Sequence, residues 1–222
     1  VQESFHRYSP EPGPPAGMPL PGVADGAPAW RNGVAVRAPN WLGDAAMALP
    51  AVYQLRRRVP EPCGVFVISR RALAGFWRQV PWVQAVVELD GARVTGEALE
   101  ALRGLGAGVA VVLPNSFGAA WDVFRARIPV RVGRGGRGRC WVLTHRLPAL
   151  PPPARRHPVH QAGHGLEIVR AFGDVPWSLD IPAVSPPAWE ETAARFGIRR
   201  ADRWLVVAPG AAYGPAKQWP VE

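Results

Sequence analysis

From residue 33 onward, short apolar runs alternate with segments whose apolar positions recur at helical spacing. The apolar runs predict strands at Val34–Ala38, Val65–Ser69, Val83–Leu89, Val109–Leu113, Val130–Val132 and Cys140–Thr144. The periodic segments predict helices at Asp44–Arg58, Arg71–Arg78, Gly96–Leu105, Phe117–Arg127 and Gln161–Phe172. This alternation is typical of an α/β fold in which a parallel sheet carries helices on both faces. Ligands of such sheets bind outside the carboxyl ends of the strands, so the loops after the first and fourth strands are the candidate binding loops.

The alternating pattern is interrupted near both ends of the chain. Residues 1–32 are rich in Pro and Gly and lack an apolar period, which predicts a disordered segment outside the fold. Residues 33–180 form the predicted α/β domain. Residues 181–222 predict a linker, a helix that Ser185 caps and Gly197 ends, and a buried strand at Trp204–Ala208. Because a new β/α unit has barely begun at residue 222, we expect a second domain that is truncated.

The chain is strongly basic, with 26 Lys and Arg residues, 17 Asp and Glu residues and a net charge of +9. Lys217 is the single lysine among the 26. Abundant Arg, Ala, Gly and Pro are typical of GC-rich coding, so the arginine excess is a weak indication of nucleic-acid binding. The charge still favours anionic partners such as phosphorylated lipids or nucleotides.

The cysteines and the hydropathy limit the remaining classes. Cys63 and Cys140 lack CxxC spacing, so we expect a reducing compartment, no disulfide framework and no zinc site. No apolar run is long enough to cross a bilayer, which favours a soluble or peripheral protein. His160 and His164 lack the accompanying Glu of a metalloprotease motif, so no metal site is expected.

The segment Gly133–Gly138, GRGGRG, has the spacing of a dinucleotide-binding loop. That motif binds a pyrophosphate only between a strand and a helix, whereas the following residues, Arg139–Leu143, have the pattern of a strand. A flexible basic loop is therefore the preferred interpretation. An RNA-binding arm built from this loop is one alternative, and a solvated arginine-rich surface is the simpler one. Contact with phosphates on an acceptor is a third.

Asp44 follows the turn after the first predicted strand, where a helix should begin. Asp is a favoured helix cap, and its charge suits the helix dipole. The alternative is chemical: a carboxylate at the carboxyl end of a strand, beside a Gly43 that lets a ligand approach the backbone, can act as a general base. Both interpretations stay open from these residues alone.

Lys217 follows a second small-residue turn. Gly210, Ala211 and Ala212 come after the predicted strand Trp204–Ala208 and leave backbone amides accessible. Small residues followed by one ammonium make a cradle for a phosphate. An ordinary surface lysine is the alternative, and it is weaker in a chain with a single lysine.

Three motifs, taken together and in this order, carry a resemblance to a known family. They are VRAPNWLGDAAMALPA, VVLPNSFGAAW followed by RIPVRVG, and PGAAYGPAKQWP. Residues 34–222 resemble the bacterial lipopolysaccharide heptosyltransferases, and the heptosyltransferase II group most of all. The resemblance implies a two-domain glycosyltransferase-B fold, with a Rossmann-like acceptor domain at 33–180 and the start of a donor domain at 181–222.

The resemblance also implies an activity, which is inverting, metal-independent transfer of heptose. The implied donor is ADP-L-glycero-D-manno-heptose, and the acceptor is the heptosylated Kdo-lipid A inner core of lipopolysaccharide. A cytoplasmic protein is implied, with peripheral contact at the inner membrane, no cofactor and no nucleic-acid partner. Because the later donor motifs of the family are absent, we expect this chain alone to transfer no sugar.

Site residues follow from the same motifs. Asp44 matches the family's proposed catalytic base, and Lys217 matches the lysine that contacts the donor phosphates. Gly210, Ala211 and Ala212 match the donor-side turn. The residues that match acceptor-side motifs are Asn40, Gly43, Asn115 and Ser116.

Two other functions remain open from the sequence. One is a nucleotide- or RNA-binding module on a Rossmann-like sheet, in which the basic loop 131–139 holds the ligand. The other is a transferase of the same superfamily that uses a different sugar nucleotide.

Overall fold

In the computed structural model, the described residues are 30–136, 138–150, 160–184, 189–199, 201, 203, 205, 207 and 210. Contacts between Cα atoms divide the chain into two compact units, 1–184 and 185–222. The first unit contains the sheet. No helix in the described part of the chain has the length and apolar character that a membrane span requires.

The first unit is built on a six-stranded sheet. Its strands are β1 (Gly33–Arg37), β2 (Gly64–Arg70), β3 (Ala85–Leu89), β4 (Val109–Val112), β5 (Val130–Arg134) and β6 (His145–Leu147). They lie in the order β3-β2-β1-β4-β5-β6, and every neighbouring pair is parallel. The predicted α/β fold with a parallel sheet is confirmed. Strand order reverses between β1 and β4, which is where sheets of this kind bind ligands.

Five helices pack on this sheet. They are α1 (Leu42–Arg56), α2 (Arg71–Arg78), α3 (Gly96–Gly104), α4 (Phe117–Arg125) and α5 (Gln161–Val169). Short 3₁₀ helices follow at Arg139–Trp141 and, directly after α5, at Arg170–Phe172.

The core lies on both sides of the sheet because strand side chains alternate between its faces. On β1, Val34 and Val36 join one buried cluster with residues of α1, α2 and α5. Ala35, between them, joins a second cluster with residues of α3 and α4. The valine-rich strands are buried on both faces, as a parallel sheet requires.

The predicted strand at Cys140–Thr144 is wrong. Val142 and Leu143 are both buried in the same cluster, whereas adjacent strand residues would point to opposite faces of the sheet. Instead, the carbonyl of Arg139 accepts from both backbone amides, at 3.2 Å and 3.1 Å, and closes the 3₁₀ turn. The sixth strand begins only at His145.

The predicted disordered segment 1–32 lies outside the described residues except for its last three. Trp30 is buried, and its ring centroid lies 5.5 Å from that of Phe172. Asn32 donates from Nδ2 to the carbonyl of Leu105 at 2.9 Å. These contacts make residues 30–32 part of the first unit.

The second unit, described by itself, contains helix α6 (Trp189–Arg195). Gly197 has a φ of +65° and lies just after the helix, as predicted for its end; the predicted cap Ser185 lies outside the described residues. The predicted buried strand at Trp204–Ala208 is wrong for the members that the structure describes. Leu205 and Val207 are exposed and belong to no strand, and no neighbouring strand is described here that could pair with them.

Candidate active site

A cleft of about 770 Å³ lies at the carboxyl ends of β1, β4 and β5. Its walls are the loop after β1, the first turns of α1, the loop after β4, the glycines after β5 and the start of α5. The polar residues that line it are Asn40, Asp44, Asn115, Ser116, Arg134, Arg139, Gln161 and His164. The two loops singled out from the sequence therefore face one cavity, because β1 and β4 are neighbours in the sheet.

Asp44 lines this cleft as the third residue of α1. The helix begins at Leu42, two residues before the predicted start, and its N-cap is Trp41, whose side chain makes no capping bond. Asp44 is therefore not the N-cap, although its charge lies in the first turn of α1, where it suits the helix dipole as predicted. The carboxylate is half-buried, and no described residue hydrogen-bonds to it or pairs with it. It is available to a ligand in the cleft.

Asn40 lines the cleft together with Asp44, and hydrogen bonds from Arg37 fix the orientation of its side chain. The Nη1 and Nη2 groups of Arg37 each donate to Asn40 Oδ1 at 3.2 Å. Both guanidinium nitrogens are donors, so the amide can meet them only through its oxygen. The Nδ2 group of Asn40 is therefore left as a donor for a ligand.

Arg37 is itself held in the interior, where it is 1% exposed. Its Nε donates to the buried Asp122 at 3.5 Å, and its terminal nitrogens donate to the carbonyls of Ala38 at 2.7 Å and Ala92 at 3.0 Å. Burial lowers the pKa of Arg37, and the charge and hydrogen bond of Asp122 raise it in compensation. Arg37 thus connects the core to the turn that carries Asn40.

Asn115 and Ser116 reach the cleft from the loop after β4. Ser116 is the N-cap of α4, and its Oγ accepts from the backbone N–H of Ala119 at 3.3 Å. Asn115 Oδ1 accepts from Arg139 Nη2 at 3.2 Å, and Arg139 Nη1 also donates to the carbonyl of Pro114 at 3.0 Å. The second loop is therefore held by a buried arginine, as the first one is.

Arg134 adds positive charge to the cleft, and the sequence indicated it only as one arginine of the basic loop 131–139. It is buried at the end of β5, forms an ion pair with Glu167 of α5, and donates from Nη1 to the carbonyl of Pro148 at 3.3 Å. Burial lowers the pKa of Arg134 to about 10, and the charge of Arg139 lowers it in the same direction. Arg134 remains charged at neutral pH, and with the neighbouring Arg139 it makes this wall of the cleft suit an anionic ligand.

Helix α5 brings Gln161 and His164 to the cleft. The sequence analysis did not predict that either residue shares a site with Asp44. The helix lies unusually close to α1, since a Cβ added at Gly165 would lie 2.9 Å from the Cβ of Ala51. His164 Nδ1 lies 3.7 Å from Glu167 Oε2. The sequence analysis considered His164 only as a metal ligand. Among the described residues, no cluster of three or more His, Cys, Asp and Glu could hold a metal ion.

The remaining predicted site residues are Gly43, Gly210, Ala211, Ala212 and Lys217. Gly43 is exposed on α1 outside the cleft lining, and a Cβ there would have no atom within 4 Å. Gly210 is exposed in the second unit, whereas Ala211, Ala212 and Lys217 lie outside the described residues.

The GRGGRG segment forms the end of β5 and the loop after it, and Arg137 within it lies outside the described residues. The three-residue 3₁₀ turn that follows is neither the predicted strand nor the helix that a dinucleotide site needs.

We compared the chain with known protein families and with curated proteins. No family model matches the chain. It is 27% identical over 200 residues to lipooligosaccharide heptosyltransferase 2 of Haemophilus influenzae, and 29% identical over 199 residues to lipopolysaccharide heptosyltransferase 2 of Escherichia coli. The resemblance to the lipopolysaccharide heptosyltransferases is confirmed. Each alignment covers 84% of this chain, which spans about half of each relative, 57% and 56% respectively.

Solved structures agree with the heptosyltransferase relationship. The structure of E. coli ADP-heptose LPS heptosyltransferase II matches with a TM-score of 0.66 at 26% identity, over 84% of this chain and 57% of that one. A family 9 glycosyltransferase of Veillonella parvula matches with a TM-score of 0.62 at 17% identity, over 84% and 55%, and supports the fold alone. The six-stranded parallel sheet therefore corresponds to roughly half of a glycosyltransferase-B fold.

Proposed function

We propose that the full-length protein is a glycosyltransferase that moves heptose from ADP-heptose to the heptosylated Kdo-lipid A inner core of lipopolysaccharide. The chain would supply the acceptor-binding half through residues 33–180, and the start of the donor-binding half through residues 181–222. The observation that carries the proposal is the unpaired carboxylate of Asp44 in the cleft, on a fold shared with the heptosyltransferases.

The proposed reaction is an inverting displacement at the anomeric carbon of the donor. The Asp44 carboxylate accepts the proton of the attacking hydroxyl as the new glycosidic bond forms and the bond to the ADP oxygen breaks. Asn40, Asn115 and Ser116 line the same cleft and would orient the acceptor sugar. Arg134 and Arg139 add positive charge, which favours an acceptor that carries anionic groups. No metal takes part in this scheme.

The donor side rests on the sequence motif. Lys217 would stabilise the charge that grows on the diphosphate as it leaves, an interaction stronger in the transition state than in the ground state. Gly210, Ala211 and Ala212 would let backbone amides approach the same phosphates. We place the protein in the cytoplasm, in peripheral contact with the inner membrane, because the proposed acceptor is anchored in a lipid bilayer.

The direct test is a transfer assay with the full-length protein. It is incubated with ADP-heptose and heptosylated Kdo-lipid A, and the acceptor is followed by mass spectrometry. We expect a mass increase of one heptose, and none with an acceptor that lacks the first heptose. Transfer from another sugar nucleotide only would replace the donor in this proposal, and salt-sensitive RNA binding without any sugar transfer would replace the function.

A further inference from the structure

Four aromatic side chains form a continuous surface patch next to the cleft. We call Phe117, Trp121, Phe124 and Trp141 the aromatic patch. Ring centroids of neighbouring members are 5.1 to 6.4 Å apart. The outer members are open to solvent, with Trp141 64% and Phe124 36% exposed. Exposed aromatic clusters of this kind indicate an interaction surface.

The aromatic patch lies within the most basic part of the chain. Residues 117–150 contain seven arginines, of which Arg134 and Arg139 are buried, and Arg137 lies outside the described residues. The one acidic residue of this segment is Asp122 of α4, and its side chain is buried. The Arg131 guanidinium lies over the Phe124 ring, 5.4 Å from its centroid. Arg146 is exposed and donates to the carbonyl of Cys140, next to Trp141. The surface therefore combines exposed rings with positive charge that no exposed carboxylate of this segment offsets.

We propose that the aromatic patch docks this protein on an anionic phospholipid surface. Aromatic rings bury in the headgroup region, and arginines attract anionic lipids. The patch adjoins the cleft at two points, since Phe117 follows the cleft residue Ser116 and Trp141 shares a 3₁₀ turn with Arg139. This inference rests on the proposed function and names the surface that would make its peripheral membrane contact, which would hold the cleft near a lipid-anchored acceptor.

The geometry favours lipid over single-stranded RNA, which also binds aromatic and basic surfaces. RNA bases need free ring faces for stacking. In the aromatic patch the ring planes of Phe117 and Trp121 are inclined by 21°, and those of Trp121 and Phe124 by 24°, so these three rings already stack on one another. Trp141 instead meets Trp121 and Phe124 in edge contacts. Arg131 donates to the carbonyls of Ile128, Pro129 and Val142. Because these hydrogen bonds fix its guanidinium against the protein, the arginine contributes general positive charge to the surface.

The test is flotation of the protein with vesicles of two compositions. One set contains phosphatidylethanolamine and phosphatidylglycerol, and the other contains phosphatidylcholine alone. We expect binding to the anionic vesicles, with at least about a tenfold loss of the partition coefficient in the Trp141→Ser/Phe124→Ser double variant. Arg146→Glu should weaken binding by at least about fivefold, and more at low salt. Thermal unfolding of each variant shows that the fold is kept.

Two matched controls change residues that are not members of the patch. Phe196→Ser changes an aromatic residue of similar exposure in the second unit. Arg57→Glu changes an exposed arginine directly after α1, a helix on the opposite face of the sheet from α4. Both should bind the anionic vesicles like the unmodified chain. If the controls lost as much vesicle binding as the patch variants, the proposal would be overturned.

Three other outcomes would also overturn it. They are equal binding to both vesicle types, patch-dependent binding of a single-stranded RNA oligonucleotide without vesicle binding, and patch-dependent self-association in sedimentation without vesicle binding. The transfer assay separates this proposal from the enzymatic one. Normal transfer to a detergent-dispersed acceptor without vesicle binding removes the docking surface only, and vesicle binding without transfer removes the proposed function only.

Discussion

Arg37 shows how one buried side chain prepares the candidate active site. Its guanidinium is surrounded by Asp122, two backbone carbonyls and the Oδ1 of Asn40, all within 3.5 Å. Burying a charge in this way is costly unless it is paired and hydrogen-bonded, so the arginine and its partners act as a unit. The unit fixes the turn in front of α1, and with it the donor that Asn40 offers to the cleft.

Replacement of Arg37 should show this dependence as a loss of stability. Arg37→Met removes a partner of Asp122 and leaves the Asn40 carbonyl oxygen without its donors, so we expect about 3 kcal/mol less free energy of unfolding. Urea denaturation measures this. Arg57→Met, at the exposed residue directly after α1, should change the value by less than about 0.5 kcal/mol. A loss in Arg37→Met no larger than in that control would contradict the role of the arginine.

Asn40 can be tested separately from the stability of the turn. Asn40→Asp keeps the oxygen that faces Arg37 and adds a favourable charge, but it removes the Nδ2 donor and places a second carboxylate near Asp44. In the full-length protein we therefore expect stability to be kept or raised, while kcat/KM for the acceptor falls at least about tenfold. An unchanged kcat/KM would show that Asn40 does not contact the acceptor.

The packing of α5 on α1 decides which side chains reach the cleft. Gly165 allows the two helices to approach, and α5 then contributes Gln161 and His164. Alanine is normally the better helix former by about 1 kcal/mol, so glycine here indicates that the close contact outweighs propensity.

A pair of glycine substitutions tests this contact. Gly165→Ala should lower the free energy of unfolding by about 1 to 2 kcal/mol, because its methyl group would meet Ala51 at 2.9 Å. Gly75→Ala, in the middle of α2 with no atom within 4 Å of the new methyl group, should raise it by about 0.5 to 1 kcal/mol. Urea denaturation gives both changes in the free energy of unfolding. If the two substitutions changed it in the same direction, the packing argument would be contradicted.

Most of the secondary structure was predictable because the central strands are buried on both faces and helices such as α2 are amphipathic. Helix α2 has the predicted bounds, and β1 and α1 shift by one or two residues. The exception is the segment after β5, where Val142 and Leu143 look like a strand but pack side by side from a 3₁₀ turn. Strand β6, with the sequence HRL, has no apolar pattern that could have predicted it.

The candidate active site was predictable only where motifs mark it. Asp44, Asn40, Asn115 and Ser116 lie in the motif loops, and parallel strand order brings these loops together. Arg134 is one of many arginines in the chain, and nothing in the sequence around it indicates that its side chain is buried. Its position, and that of α5, depend on contacts between elements far apart in sequence, which periodicity does not encode.

Across the full-length protein, the account depends on one carboxylate acting as the base in heptose transfer. The most direct measurement is kcat of heptose transfer by the full-length Asp44→Asn variant, at saturating donor and acceptor. We predict a fall of about a thousandfold with an unchanged thermal midpoint, because the amide keeps the shape of the side chain but cannot accept the proton. Asp90→Asn, at an exposed residue paired with Arg71, should keep full kcat. A kcat within about twofold of the unmodified enzyme in Asp44→Asn would contradict the central claim.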